Sequence, residues 1–186
     1  MFITFKNKLN KGIIPFYFYP FIEHTFSNKK GIEKMTYEKL MIKYDKHVKI
    51  KEKPLKYGFK GLYKNSKIII DSNIETNKEK ACILAEELGH HFTSHGNIID
   101  QNDIRNVKQE LRARSWAYER MIGIVDLINA HKVGVRGKYE LAEFLDVPEW
   151  FLVEAIEYYS NKYGTCYKID NYIIYFSPNF GIMEFF

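Results

Sequence analysis

From Thr36 onward the apolar positions fall into blocks of helical and of strand period. Leu40, Met41 and Tyr44 recur at helical spacing between Thr36 and Asp45 and predict a short amphipathic helix. Val48 to Ile70 reads as strands, with Lys64-Asn65-Ser66 making a hairpin turn. A run containing Ile83, Leu84, Leu88 and Phe92 then predicts a helix buried within the protein. Thr76, with Glu79 three residues on, forms a capping-box start for it, and Gly96 marks a stop. A polar loop around Asn97 to Asp103 leads into a long helical stretch from Ile104 to Asn129. Gly134 and Gly137 break the chain before a new unit.

That unit, residues 139–156, has the pattern of a helix-turn-helix. Leu141, Ala142 and Leu145 face inward from a first helix, and Pro148 stands where a second begins. A DNA-reading second helix carries basic residues at its start. Here Glu149, Trp150, Glu154 and Glu157 occupy it, and the acids repel phosphate. Direct DNA binding is therefore not expected; the pair is expected to dock on the preceding domain or to touch a substrate protein. The tail returns to strand character at Cys166 to Ile169 and Tyr172 to Phe176, around an Asp170-Asn171 turn. The apolar end, Ile182 to Phe186, is expected to add an edge strand or cover a core. The fold class predicted is α+β. A domain over residues 35–132 has a small β-sheet and a central helix, and residues 133–186 add a helical pair and a C-terminal β-hairpin packed on it.

The chemistry concentrates in that central helix. Its Glu86-Glu87-Leu88-Gly89-His90 segment is the zinc-protease motif H-E-x-x-H with Glu86 in the place of the first histidine. Residues four apart lie one turn up on the same face, so Glu86 and His90 can address a common ion. Carboxylate and imidazole are both acceptable zinc ligands. Glu87 flanks the ion, where a general base must sit to take a proton from a bound water. A catalytic zinc site wants a third ligand and a water. The next helical stretch offers Glu110 and Glu119, with Glu110 the better candidate because Ala113 and Ala117 share its face. A Glu-Glu pair on a helix is usually a solvated face, but this one lies between Ala85 and Leu88 in an apolar run. Two carboxylates and one imidazole form a harder donor set than two histidines, weaker for zinc and more tolerant of manganese or iron. His91 and His95 are also four apart, but Phe92 stands where a base would be. His91 is expected to donate a supporting hydrogen bond or to line the cleft, and it is the nearest substitute should Glu86 not bind.

These residues resemble a known family. Ile83-Leu84-Ala85-Glu86-Glu87-Leu88-Gly89-His90-His91, followed by Glu110-x-x-Ala113-x-x-Trp116-Ala117, looks like the ImmA/IrrE metallopeptidases. The Gly61 to Ile70 hairpin resembles the strands before their metal helix, so the resemblance spans about residues 35–130. It implies a zincin-like metallopeptidase domain and a zinc-dependent endopeptidase encoded by a phage or mobile element. Carried over residue by residue, it makes His90 a ligand, Glu87 the catalytic base and Glu110 the third ligand. Glu86 departs from the family's histidine and is expected to serve as the first ligand. The implied cofactor is Zn2+, with Mn2+ or Fe2+ as alternatives. The implied partner is a protein substrate, a helix-turn-helix repressor encoded nearby, cleaved to release its genes. The alternative is a catalytically inactive relative that binds and sequesters a regulatory protein.

Composition narrows the setting. The longest apolar run, Gly12 to Ile22, is eleven residues and contains Pro15 and Pro20, too short to span a bilayer. Two cysteines far apart, Cys82 and Cys166, suggest a reduced cytoplasmic protein, with Cys82 a packing residue. Residues 1–34 differ from the rest, with eight of the 28 Phe and Tyr, six lysines, two acids and no sustained periodicity. Lys29-Lys30-Gly31 is what a purine-rich ribosome-binding site would encode if translated ahead of Met35. Translation is therefore expected to start at Met35, leaving residues 1–34 a non-native extension or, if translated, a disordered arm. Without that segment's six lysines and two acids, the 28 basic and 23 acidic residues become 22 and 21, and the net charge falls from +5 to +1. The basic balance then gives no reason to expect nucleic acid. N-terminal mass spectrometry of the native protein should find Met35 first; peptides from residues 1–28 would refute this start.

Overall fold

Two threonine hydroxyls set the first two helices. In the computed structural model, which describes residues 34–94 and 104–185, Thr36 accepts from the Lys39 N–H at 3.4 Å and starts α1 (Tyr37–Tyr44). Tyr37, Leu40 and Tyr44 form its buried stripe, while the predicted Met41 is only partly covered. Strands β1 (Lys49–Lys53), β2 (Gly61–Lys64) and β3 (Lys67–Asp71) make one sheet in the order β1-β3-β2. β2 and β3 form the predicted antiparallel hairpin, and β1 runs parallel to β3. Its turn residues Asn65 and Ser66 both take positive φ, 50° and 56°, the primed geometry that matches strand twist. Alternation along β3 buries Ile68 and Ile70.

The second hydroxyl, on Thr76, accepts from the Glu79 N–H at 3.3 Å and starts α2 (Asn77–Thr93). The Glu79 carboxylate, which the capping box would turn back to Thr76, pairs with Lys60 ahead of β2. Every residue of α2 from Ala81 to His90 is buried. The helix is enclosed by α1, by β2 and β3, and by α3 (Ile104–Met121). It ends at Ser94, whose N–H bonds the His90 carbonyl at 3.1 Å, before the predicted stop at Gly96. Gly96 and the polar loop around it lie outside the described residues.

The long helix predicted over Ile104 to Asn129 is two helices. After α3 the backbone is extended at Gly123, and α4 (Ile124–Lys132) restarts there. Asp126 drives the restart, its carboxylate taking up the Gly123 N–H at 3.0 Å. Gly134 then turns at φ 85°, and the Val135 N–H reaches back to the Ala130 carbonyl at 3.0 Å, closing α4. The predicted helical pair follows as α5 (Gly137–Leu145) and α6 (Glu149–Tyr163), with Pro148 as N-cap of the second. α6 packs on α3: the Tyr118 hydroxyl donates to Glu154 Oε2 at 3.0 Å, and the Tyr159 hydroxyl donates to the Ile122 carbonyl beside the helix break. Strands β4 (Cys166–Ile169), β5 (Tyr172–Tyr175) and β6 (Gly181–Glu184) form an antiparallel sheet in that order, so the C-terminal segment is the expected edge strand. The buried apolar residues form one continuous cluster from Tyr37 to Phe176. Cys82 is buried within it, Cys166 is exposed, and the two do not pair. Among the described residues no helix is long and apolar enough to cross a membrane.

One contact decides how closely α2 and α3 approach. A Cβ placed on Gly89 would lie 2.2 Å from the Ala113 carbonyl oxygen, so backbone meets backbone at this crossing. Ala113 and Ala117 on the facing side are fully buried. Gly→Ala inside a helix normally gains about 1 kcal/mol. Here the overlap reverses the sign, because overpacked cores lose about 1–3 kcal/mol. Gly89→Ala is expected to lower stability by about 2 kcal/mol in urea unfolding, and a rise in the midpoint would contradict the contact.

Candidate metal centre

Three ionisable side chains lie inside the protein on one turn of α2. Glu86, Glu87 and His90 are 3%, 0% and 2% exposed, which rules out a solvated helix face. Burying such groups is unfavourable unless partners or an ion satisfy them. The Gly89–Ala113 crossing supplies one partner. It brings Glu110, one turn before Ala113, against the motif histidine, with His90 Nε2 at 3.2 Å from Glu110 Oε2. The other ring nitrogen, Nδ1, is 3.3 Å from Ser94 Oγ at the end of α2. Both sides of the imidazole are thus held. Glu110 is shared in turn, its Oε1 accepting from Arg114 Nε at 2.9 Å.

Glu87 is placed by a different contact. A Cβ on Gly61, the first residue of edge strand β2, would lie 2.5 Å from Glu87 Oε1 and 2.8 Å from Ile83 Cγ2. The strand can close on the carboxylate only because residue 61 has no side chain. Glu87 therefore sits between α2 and the strand backbone.

The electrostatics separate the carboxylates. Burial pushes the Glu86 carboxyl up to about 8; the Arg114 charge opposes this and the Glu110 charge adds to it. Its Oε2 is buried with no hydrogen-bond partner among the described residues. Burial also raises Glu110, but the hydrogen bond and charge of His90, together with Arg114, outweigh it and hold that carboxyl below its ordinary value. Burial opposes the charge on Arg114, yet Glu86 and Glu110 keep the guanidinium more firmly protonated than usual. Cys82, one turn before Glu86, has its thiol pushed well up by burial and then by the Glu86 charge, which suits an inert packing residue.

The expected site residues are thus brought together unequally. Glu86, Glu87 and His90 share one turn, and Glu110 meets His90. Glu119 is turned away to α6, where it accepts from the Tyr158 hydroxyl and pairs with Lys162. His91 faces β2, its Nδ1 3.0 Å from the Tyr63 hydroxyl. It joins an aromatic group with Phe92, which stacks on Trp116, and its ring is made less basic by burial and then by His47. His91 thus lines the β2 side of the helix and is engaged through Nδ1 with Tyr63. His95 lies outside the described residues. Three contributors escape the motif reading: Gly61, Gly89 and Arg114. Only Arg114 leaves a spacing signal, four residues after Glu110 on the same helix face.

The donor set suits a hard or borderline divalent ion: one imidazole and two carboxylates, one with an orphaned buried oxygen. Ligand atoms sharing a tetrahedral zinc ion stand about 3.4 Å apart. The 3.2 Å His90–Glu110 separation is near that value and is equally that of the hydrogen bond joining the pair without an ion. Among the described residues, however, no three His, Cys, Asp or Glu side chains gather into a metal-holding group as they stand. The His90–Glu110 pair is formed, and Glu86 is one turn away. Comparison with protein-family models, curated proteins and solved structures finds no match to the chain.

The Glu86 shift has a thermodynamic sign. The folded metal-free protein holds the Glu86 proton up to about pH 8, whereas the unfolded chain releases it near its ordinary 4.5. Between those values the unfolded state binds fewer protons, so this contribution to stability is full below the lower value and is lost as pH rises. Urea unfolding of metal-free protein should lose on the order of a few kcal/mol between about pH 5 and pH 8, and Glu86→Gln should flatten that slope. An equal slope in the variant would assign it to another group.

Proposed function

We propose that this protein is a metal-dependent endopeptidase resembling the ImmA/IrrE proteins, and that its substrate is a regulatory protein, a helix-turn-helix repressor encoded nearby. The observation that carries the reading is the buried Glu86-Glu87-x-x-His90 turn, with Glu110 from the neighbouring helix 3.2 Å from His90 Nε2. In this reading Glu86, His90 and Glu110 hold a zinc ion, with manganese or iron also suited to the hard donor set. When bound, the ion supplies Lewis acidity to the scissile carbonyl and acidity to the attacking water.

The chain's own groups do the remainder. Glu87 accepts the proton of the attacking water at its carboxylate, holds it, and returns it to the leaving amine. The close approach of Gly61 limits the rotamers open to Glu87, which keeps the base oriented. Ser94 steadies the His90 ring through Nδ1, the usual service of an outer group to a ligand histidine. The acidic start of α6, at Glu149, speaks against phosphate as a partner and leaves the helical pair to protein contacts. A cytoplasmic location follows from a repressor substrate.

A second reading is sequestration of the regulator without cleavage, and it is the departure of Glu86 from the motif histidine that favours it. Metal analysis and Glu87→Gln separate the two. The peptidase reading expects bound transition metal, and cleavage of the co-expressed repressor lost by about 100-fold or more in the variant, with fold and metal retained. Absence of metal, together with full biological activity of Glu87→Gln, would leave sequestration.

A further inference from the structure

Glu110 divides its two oxygens between different cations or near-cations. Oε2 faces His90 Nε2 at 3.2 Å, and Oε1 takes the Arg114 Nε hydrogen at 2.9 Å. The Arg114 side chain is 20% exposed, so it is mostly enclosed yet keeps a path to solvent. Glu110 is in direct contact with it, the charge of Glu86 also acts on it, and Glu86 Oε2 is buried without a hydrogen-bond partner among the described residues. A guanidinium cannot shed its proton, so its charge persists whatever else enters the site.

We propose that Arg114 is a resident counter-cation that competes with the divalent metal for the Glu110 and Glu86 carboxylates and thereby sets the metal affinity of the centre. The inference rests on the metal-site reading above. Without metal, the guanidinium offsets negative charge that the fold has enclosed. With metal, a dication and a guanidinium share the same carboxylates in a poorly screened interior and repel each other. The guanidinium charge therefore lowers the affinity for the ion, and the partial exposure of Arg114 gives it room to move outward as the ion enters. Arg114 is in this sense a specificity-determining residue and not a catalytic one. A merely orienting arginine would act in the opposite direction, because its removal would free Glu110 to turn from the ion and would weaken binding.

The sign of one substitution decides between these roles. Zinc affinity is measured for the wild type, Arg114→Met and Arg114→Lys by competition with a chromophoric chelator at one pH and salt concentration, alongside thermal melts with and without zinc. Arg114→Met should bind zinc about tenfold or more tightly, and Arg114→Lys, which keeps the charge, should stay within about threefold of the wild type. The metal-free methionine variant should melt below the wild type, with the gap narrowing in saturating zinc. Arg114→Gln carries the same test if the methionine variant does not fold. Equal or weaker zinc binding by the neutral variants, or tightening by lysine as well, overturns the competition while leaving the metal site standing. No zinc binding by any of the proteins overturns both.

Discussion

The crossing of α2 and α3 at Gly89 and Ala113 is the contact on which the centre depends. Helices normally pack with axes about 8–10 Å apart, the spacing set by the side chains between them. At this crossing a Cβ would stand 2.2 Å from a carbonyl oxygen, so residue 89 has to be glycine. The close approach is what lets Glu110 reach His90 across the helix pair. Gly61 does the same on the other side of α2, admitting β2 against Glu87. The polar turn of α2 is thus clamped between a helix and a strand by two residues without side chains.

That clamp has an electrostatic consequence. It encloses two consecutive carboxylates and an imidazole where water cannot serve them, and such groups are stable only with charge partners. Glu110 and Arg114 form the visible partnership around His90. Glu86 is less well served: its carboxyl is pushed up to about 8 and one oxygen is orphaned among the described residues. A fold selected for stability alone would place an apolar residue there, as at Leu84 and Leu88 nearby. Unfavourable burial retained beside an organised imidazole–carboxylate pair is the usual mark of a functional site.

Much of the architecture was legible because it is local. Helical period located α2 and the α5–α6 pair, and turn chemistry located both hairpins at Asn65-Ser66 and Asp170-Asn171. The missed break at Gly123 depends on the Asp126 carboxylate capturing one backbone N–H, a contact that apolar periodicity does not record. Glu110 and Glu119 are both glutamates on α3; the small residues Ala113 and Ala117 on its face favour Glu110 from sequence, and the packing of α6, with Tyr158 and Lys162 claiming Glu119, shows where the other goes. In the site, the motif marked Glu86, Glu87 and His90, but not how close their neighbours come. The spacing signal of Arg114 carries little weight for a related reason: a Glu-Arg pair four apart on a helix is ordinarily a solvent-exposed pair of little consequence. It gains weight only because Glu110 also faces a buried histidine.

The proposed role of Glu86 is to hold an ion together with His90 and Glu110. Its most direct test is an anomalous-difference map from crystals of the protein grown with zinc. One peak is expected within coordination distance, about 2.0–2.2 Å, of His90 Nε2 and of a carboxylate oxygen from each of Glu86 and Glu110. A peak that excludes Glu86, or one seated on His91 or Cys166 instead, would contradict it.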